Sequence, residues 1–147
     1  MRSGAARDAA VIGMIAAGGM LGAAARHGVA LALPTREGFP WGTLLVNASG
    51  CLLIGVLMVV ILEATAPHPL ARPCLGVGVL GGYTTFSAYA VEVHALLQDH
   101  RAGTAVAYLL GTVLAALVAV QLGVVAARAL VAPRRRMDPT ETPGGIG

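Results

Sequence analysis

Two polar side chains lie four residues apart inside a stretch that is otherwise hydrocarbon. Thr43 and Asn47 fall in the run 41–62, which carries no charge, and this spacing places them on one face of a helix. The Asn47 amide has two N–H donors and an acceptor oxygen, none of which lipid can satisfy. For a lone Asn, a hydrogen bond that joins two helices is the simpler interpretation.

A second segment concentrates glycine and hydroxyl groups at the centre of a later apolar stretch. Residues 76–87 read Gly-Val-Gly-Val-Leu-Gly-Gly-Tyr-Thr-Thr-Phe-Ser. Each interior glycine costs a helix about 1 kcal/mol relative to alanine. A packing face of small residues would explain Gly78 and Gly82, but not the Thr-Thr-Phe-Ser that follows. We therefore expect a broken helix, which at membrane depth presents free carbonyls to cations and free N–H groups to anions.

Aromatic and acidic residues continue along this segment at helical spacing. Phe86, Tyr89 and Glu92 are three residues apart and share one face if the helix resumes. Ring edges carry positive quadrupole potential and can line an anion path, although an aromatic pair at this spacing is most often core. Further along, Tyr108 and Thr112 lie one turn apart on a common face.

Charged and ligating side chains are sparse elsewhere. Arg26, near the end of the first apolar stretch, could extend to the membrane interface or supply positive potential at a pore mouth. The four histidines show no metal-ligand spacing. The sequence also lacks a nucleophile–base pair, paired catalytic carboxylates and a phosphate-binding loop, so we do not expect an enzyme.

The composition identifies the setting of these residues as a membrane. Of 147 residues, 56% are hydrophobic and 12% charged, whereas a soluble domain carries about 25% charged residues. The same figures exclude a disordered chain. A net charge of +3 and 4% aromatic residues argue against nucleic-acid binding. Two cysteines in apolar segments offer neither a disulfide framework nor a zinc site.

Four apolar stretches are long enough to cross a bilayer, which takes about 20 residues. They cover approximately residues 9–33, 41–62, 73–97 and 104–131. The first has features of a signal peptide, but its apolar pattern continues past Arg26, so we interpret it as a retained span. The sequence thus predicts an all-α integral membrane protein, with a four-helix transmembrane domain over 1–132 and a disordered tail over 133–147.

The distribution of arginine leaves the orientation almost balanced. Arginines in short flanks favour the cytoplasmic side. With four spans, three arginines lie on each side: Arg2, Arg7 and Arg72 on one, Arg26, Arg36 and Arg101 on the other. Only Arg128 and the run 134–136 favour termini inside.

Four thin helices enclose little volume, so we expect an oligomer with any polar pathway near subunit contacts. One possible function is a small dual-topology multidrug exporter. That mechanism needs an acid deep in the membrane, and the first span has none after Asp8. Another possibility is a non-transporting assembly subunit whose polar residues only join helices.

Three blocks of residues together resemble a known family. They are Gly-Gly-Met-Leu-Gly-Ala-Ala-Ala-Arg at 18–26, Gly-Thr-Leu-Leu-Val-Asn-Ala-Ser-Gly at 42–50 and Gly-Gly-Tyr-Thr-Thr-Phe-Ser at 81–87. In order and spacing the chain is similar to the CrcB/Fluc family of fluoride channels over about residues 10–130. The resemblance implies export of fluoride across the plasma membrane by an antiparallel dimer with two fluoride pathways. The partner would be a second copy or a diverged paralogue.

The resemblance also implies roles for individual residues. Backbone carbonyls of Gly81 and Thr84 from both subunits would hold a structural sodium ion. Phe86 and Tyr89 would form an aromatic box, with Tyr89 standing where the family usually has Phe. The remaining residues implied for the fluoride pathway are Asn47, Ser87, Thr43, Tyr108, Thr112, Glu92 and Arg26. Ala116, one turn beyond Thr112, departs from the hydroxyl usual in the family.

Overall fold

All regular structure in the described residues is helical. The computed structural model describes residues 2–35, 38–63 and 72–131, with side chains for 7–35, 38–61 and 72–131. The elements are α1 (Arg2–Ala32), α2 (Trp41–Glu63), a π-helical segment (Arg72–Leu80), α3 (Gly81–Tyr83), α4 (Ser87–Gln98) and α5 (Ala102–Val131).

Four stretches have the length and hydropathy needed to cross a membrane, which confirms the predicted number of spans. They are Arg7–Ala32, Trp41–Ile61, Arg72–Gln98 and Ala102–Val131. The protein is therefore a multi-pass membrane protein by length and composition. The predicted tail at 133–147 and the domain limit at residue 132 lie outside the described residues.

The third span changes conformation along its length. A π-helical segment, a rare form in which each N–H bonds five residues back, begins at Arg72 and ends at Leu80. After the short α3, the backbone of Thr84 is extended, with φ −73° and ψ 157°. Regular helix begins again at Ser87. We refer to residues 84–86 as the linker, because they join α3 to α4.

The helices pack in two pairs, α2 with α5 and α1 with the first half of the third span. The backbones of α2 and α5 approach each other closely at two glycines. A Cβ atom on Gly123 would overlap the Leu52 carbonyl oxygen, and one on Gly55 would overlap the Val120 carbonyl oxygen. Small residues commonly allow such approach in membranes, where packing rather than water exclusion drives association.

A tight turn sets α5 beside α4. The His100 N–H donates to the Leu97 carbonyl over 3.1 Å, and the Arg101 N–H donates to the Leu96 carbonyl over 2.9 Å. His100 has φ 56°, in the left-handed region usual for the residue after a helix end. The turn brings Tyr108 of α5 into a buried cluster with Tyr89 and Leu96 of α4.

Candidate functional site

Helix α2 holds the linker through Asn47. The Asn47 Nδ2 donates to the Thr85 carbonyl over 2.9 Å, and the Thr85 N–H donates to Asn47 Oδ1 over 2.9 Å. In a continuous helix that N–H would instead bond the carbonyl four residues back, at Gly81. The side chain of Asn47 therefore takes the place of a helical hydrogen bond and joins two spans, as expected for an Asn between helices.

The next turn of α2 is shaped to receive the residues before Thr85. A Cβ atom on Gly50 would overlap the Thr84 methyl group. The Ser49 hydroxyl donates to the Leu45 carbonyl over 2.6 Å, and its oxygen lies 3.0 Å from the Tyr83 hydroxyl. One face of α2 thus seats the end of α3 and the start of the linker.

Two backbone carbonyls near the linker retain capacity to accept. The Thr84 N–H and hydroxyl both donate to the Leu80 carbonyl over 3.0 Å, and its extended ψ directs the Thr84 carbonyl out of the helical path. The Gly81 carbonyl does not receive the Thr85 N–H, which Asn47 engages. Among the described residues no group of three His, Cys, Asp or Glu could hold a metal, so a cation site here would need such carbonyls.

Thr85 also organises the first turn of α4. Its hydroxyl oxygen accepts from the Ala88 N–H over 3.2 Å, as helix-capping hydroxyls do. The oxygen lies 3.3 Å from Ser87 Oγ, and the residue is 8% exposed. Sequence reasoning did not single out Thr85, although a threonine three residues before a helical amide is a recognised helix-start signal.

Glu92 is the acceptor of a fully paired polar cluster. The Thr43 hydroxyl donates to Glu92 Oε1 over 2.8 Å, and the Tyr108 hydroxyl donates to Glu92 Oε2 over 2.6 Å. Tyr108 is completely buried. These three residues, which we call the Glu92 cluster, join α2, α4 and α5 through one carboxylate.

The two aromatic residues predicted to share a face have opposite surroundings. Their ring centroids lie 5.7 Å apart, but Phe86 is 79% exposed and Tyr89 only 8%. Tyr89 packs against Tyr108 at 5.3 Å, and its hydroxyl donates to the Leu109 carbonyl over 2.8 Å. The Tyr89 hydroxyl is therefore a tie to α5, whereas the Phe86 ring has a face open to a ligand, lipid or partner.

Two cavities adjoin these residues. The first, which we call the vestibule, has a volume of about 340 Å³ and contains the polar side chains of Arg26, His27, Thr35, Thr43, Thr85 and Glu92 in its lining. The second, which we call the ring groove, has a volume of about 270 Å³. It is lined by Asn47, Cys51, Ile54, Thr84, Thr85, Phe86, Tyr89, Thr112, Val113 and Ala116.

The hydroxyl of Thr112 has no hydrogen-bond partner among the described residues. Thr112 is 5% exposed and lines the ring groove. In a helix, a threonine hydroxyl can bond a carbonyl of the preceding turn, yet here it does not. A buried polar atom without a partner is costly, so a polar group that reached this hydroxyl would stabilise it.

The predicted site residues therefore separate into two groups. Asn47, Phe86, Tyr89 and Thr112 line the ring groove, whereas Arg26, Thr43 and Glu92 line the vestibule. Tyr108 joins the vestibule group through Glu92, and Ser87 contacts Thr85. Gly81 is exposed on the surface and lines neither cavity.

Four apolar spans with polar groups around two internal spaces are the features of a membrane transport protein. Residues 13–124 match the family model described as CrcB-like protein, Camphor Resistance (CrcB). The chain belongs to this family. The match includes the second and third spans, most of the first and fourth, and every residue that lines the two cavities.

Named relatives agree with the family match. A Streptomyces coelicolor protein named "Fluoride-specific ion channel FluC 1" is 54% identical over 128 residues, 86% of this chain and 83% of the relative. A Nocardia farcinica protein named "Fluoride-specific ion channel FluC 2" is 48% identical over 88% of this chain and 93% of the relative. A Paracoccus denitrificans protein named "Fluoride-specific ion channel FluC" is 44% identical, over 80% and 94% respectively.

Proposed function

We propose that this chain is a subunit of a fluoride-specific ion channel that lets fluoride leave the cell across the plasma membrane. Family membership and the names of relatives at 44–54% identity support this function. The protein is a channel, not an enzyme. Neither a multidrug exporter nor a passive assembly subunit is favoured, because the relatives carry channel names.

The observation that carries the proposal within this chain is the unpartnered Thr112 hydroxyl in the ring groove. Fluoride is small and strongly hydrated, so a selective path must replace its water with donors and ring edges. The ring groove offers these groups in Thr112, Asn47 and the exposed ring of Phe86. Arg26 would draw anions into the vestibule by its charge.

The test is fluoride efflux from liposomes that contain the purified protein, followed with a fluoride electrode. We expect passive fluoride flux with little chloride flux under the same gradient. Equal flux of the two anions would contradict selectivity, and flux that requires a proton gradient would favour an exporter.

The channel that we propose is an antiparallel dimer. Within one chain, only 11–22% of the most apolar stretch of each span is buried, which leaves large surfaces for lipid and for a partner. Gly81 and Phe86 belong to this exposed surface. Cross-links that join opposite ends of two subunits would support the arrangement, and cross-links between matching ends would overturn it.

A structural sodium ion would be held by the carbonyls of Gly81 and Thr84 from both subunits. Both carbonyls have acceptor capacity, because Asn47 engages the Thr85 N–H and the Thr84 backbone is extended. Oxygen ligands suit a hard cation, and the ion would supply charge that ties the two linkers together. A higher unfolding midpoint in sodium than in N-methylglucamine at equal ionic strength is expected, and equal midpoints would exclude the site.

The arginine distribution allows two forms of this dimer. A chain balanced between both orientations would form a homodimer, and a chain with fixed orientation would pair with a paralogue. C-terminal fusions to a cytoplasmic and to an exported reporter distinguish these forms. Signal from both reporters supports the homodimer, and signal from one supports the hetero-pair.

A further inference from the structure

One residue contributes to the lining of both the vestibule and the ring groove. Of the described residues, Thr85 alone lines both spaces. The other polar groups serve one space each, with Glu92 in the vestibule and Thr112 in the ring groove. The shortest route between the two spaces would therefore run past Thr85.

The Thr85 hydroxyl can donate a hydrogen bond at this point. A hydroxyl has one donor and two acceptor lone pairs, and the Ala88 N–H uses one acceptor. The proton is left for Ser87 Oγ, but that oxygen is 3.3 Å away. Since O–H···O bonds are usually near 2.7–2.8 Å, turning the proton toward another acceptor gives up little.

The position of this hydroxyl is set in advance by its backbone. Asn47 bonds both the N–H and the carbonyl of Thr85, and the Ala88 N–H holds the hydroxyl oxygen from the other side. A donor fixed in this way loses little freedom when it meets a ligand. Thr85 is also 8% exposed, so water competes weakly for its proton.

We propose that Thr85 is the point at which a small, strongly hydrated anion passes between the vestibule and the ring groove, and that its hydroxyl donates to the anion there. The inference rests on the proposed channel function and adds a residue to it. Its hydroxyl, rather than its methyl group, carries the effect.

Replacements at Thr85 separate the hydroxyl from the volume of the side chain. Thr85→Ser keeps the donor and the acceptor for Ala88, Thr85→Ala loses both, and Thr85→Val loses both with little change in shape. Thr104→Ala is the matched control, because it removes a threonine hydroxyl that lines neither cavity. Each variant is reconstituted in liposomes as the full chain, beside wild-type protein, and fluoride efflux is measured.

We expect Thr85→Ala and Thr85→Val to reduce fluoride flux about tenfold or more, the size expected when one hydrogen bond to an ion is lost. Thr85→Ser should stay within about threefold of wild type, since the donor is retained. Thr104→Ala should do the same, because Thr104 lines neither cavity. The half-saturating fluoride concentration should also rise in the alanine variant. A structural defect that only reduced the fraction of active protein would lower the maximal flux and leave this concentration unchanged.

Alanine or valine variants that match the serine variant in flux and half-saturation would overturn the role of Thr85. If the alanine variant does not elute as a folded species, the valine and serine variants decide the same question. Failure of the channel function is recognised separately, because wild-type protein and Thr104→Ala would then also release no fluoride.

Discussion

The Glu92 cluster and the ring groove are neighbouring regions that differ in whether their polar groups have hydrogen-bond partners. In the Glu92 cluster both carboxylate oxygens accept a hydroxyl, from Thr43 and from Tyr108. In the ring groove the Thr112 hydroxyl is buried without a partner in the described chain. One region pairs its polar groups within a single subunit, and the other leaves a hydroxyl without a partner among the described residues.

The aromatic residues repeat the contrast. Tyr89 is buried, packs on Tyr108 and donates to the Leu109 carbonyl, while the Phe86 ring is 79% exposed. Paired groups stabilise the fold, whereas exposed or unpartnered groups remain available for an ion, a second subunit or lipid. If the proposed function holds, we expect the first region to contribute mainly to stability and the second mainly to conduction.

Asn47→Asp should have the largest effect, since Asn47 belongs to the ring groove and also holds the linker. A carboxylate oxygen would replace the amide N–H that donates to the Thr85 carbonyl. The carbonyl would lose this donor, which should lower the free energy of unfolding by about 1–3 kcal/mol. The same charge would repel an anion. We expect fluoride flux at background level and a lower unfolding midpoint in detergent.

Asn47→Gln serves as the matched control, because it keeps the amide and changes only its reach. Wild-type flux in a folded Asn47→Asp protein would remove Asn47 from the ion path and contradict the proposed role of the ring groove.

Phe86→Ile tests whether an exposed ring serves conduction. The side chain is 79% exposed in the chain, so the loss of its ring edge should lower fluoride flux about tenfold, while the free energy of unfolding of the monomer changes by about 0.5 kcal/mol or less. Flux is read in liposomes and stability by denaturant titration. Unchanged flux with a large loss of stability would place Phe86 with the structural residues.

Removal of a hydroxyl from each region gives a direct comparison of stability. Tyr108→Phe deletes the donor to Glu92 and should destabilise the fold by about 1–2 kcal/mol, because the carboxylate oxygen loses its partner. Thr112→Val deletes an unpartnered hydroxyl, so the unfolding midpoint should stay the same or rise, although fluoride flux falls.

The pair is measured by thermal unfolding in the same detergent. A loss of stability in Thr112→Val as large as that in Tyr108→Phe would show that the Thr112 hydroxyl is paired in the assembled protein.

Tyr89→Phe should have the smallest effect on fluoride flux. The change removes one hydrogen bond to the Leu109 carbonyl, worth about 1 kcal/mol, and keeps the ring. Fluoride flux should therefore remain within a few-fold of wild type, and the unfolding midpoint should fall slightly. A variant without flux would mean that the hydroxyl itself meets the ion.

The turn between α4 and α5 shows which features of the fold a local sequence pattern can predict. The apolar pattern predicts that the third span ends near residue 97 and the fourth begins at 104, and in the structure α4 ends at Gln98 and α5 begins at Ala102. Such agreement is expected, because the length and hydropathy of a span depend only on neighbouring residues. The left-handed backbone of His100 was not anticipated, since a histidine carries no glycine-like signal for it.

Composition and local pattern were enough to predict the membrane setting, the number of spans and the polar residues of interest, including Asn47, Glu92 and Thr112. It could do so because a polar group in a long apolar run stands out without knowledge of its partner. Helical spacing also placed Phe86 beside Tyr89, and their rings are in contact.

The contact partners of these groups depend on the tertiary structure. Asn47 bonds a backbone 38 residues away, and Thr43 bonds Glu92 at a separation of 49. Periodicity tells which residues share a face, but the neighbour of that face depends on how the helices pack. For the same reason spacing could not tell that Tyr89 is buried and Phe86 exposed, or that Thr112 is left without a partner.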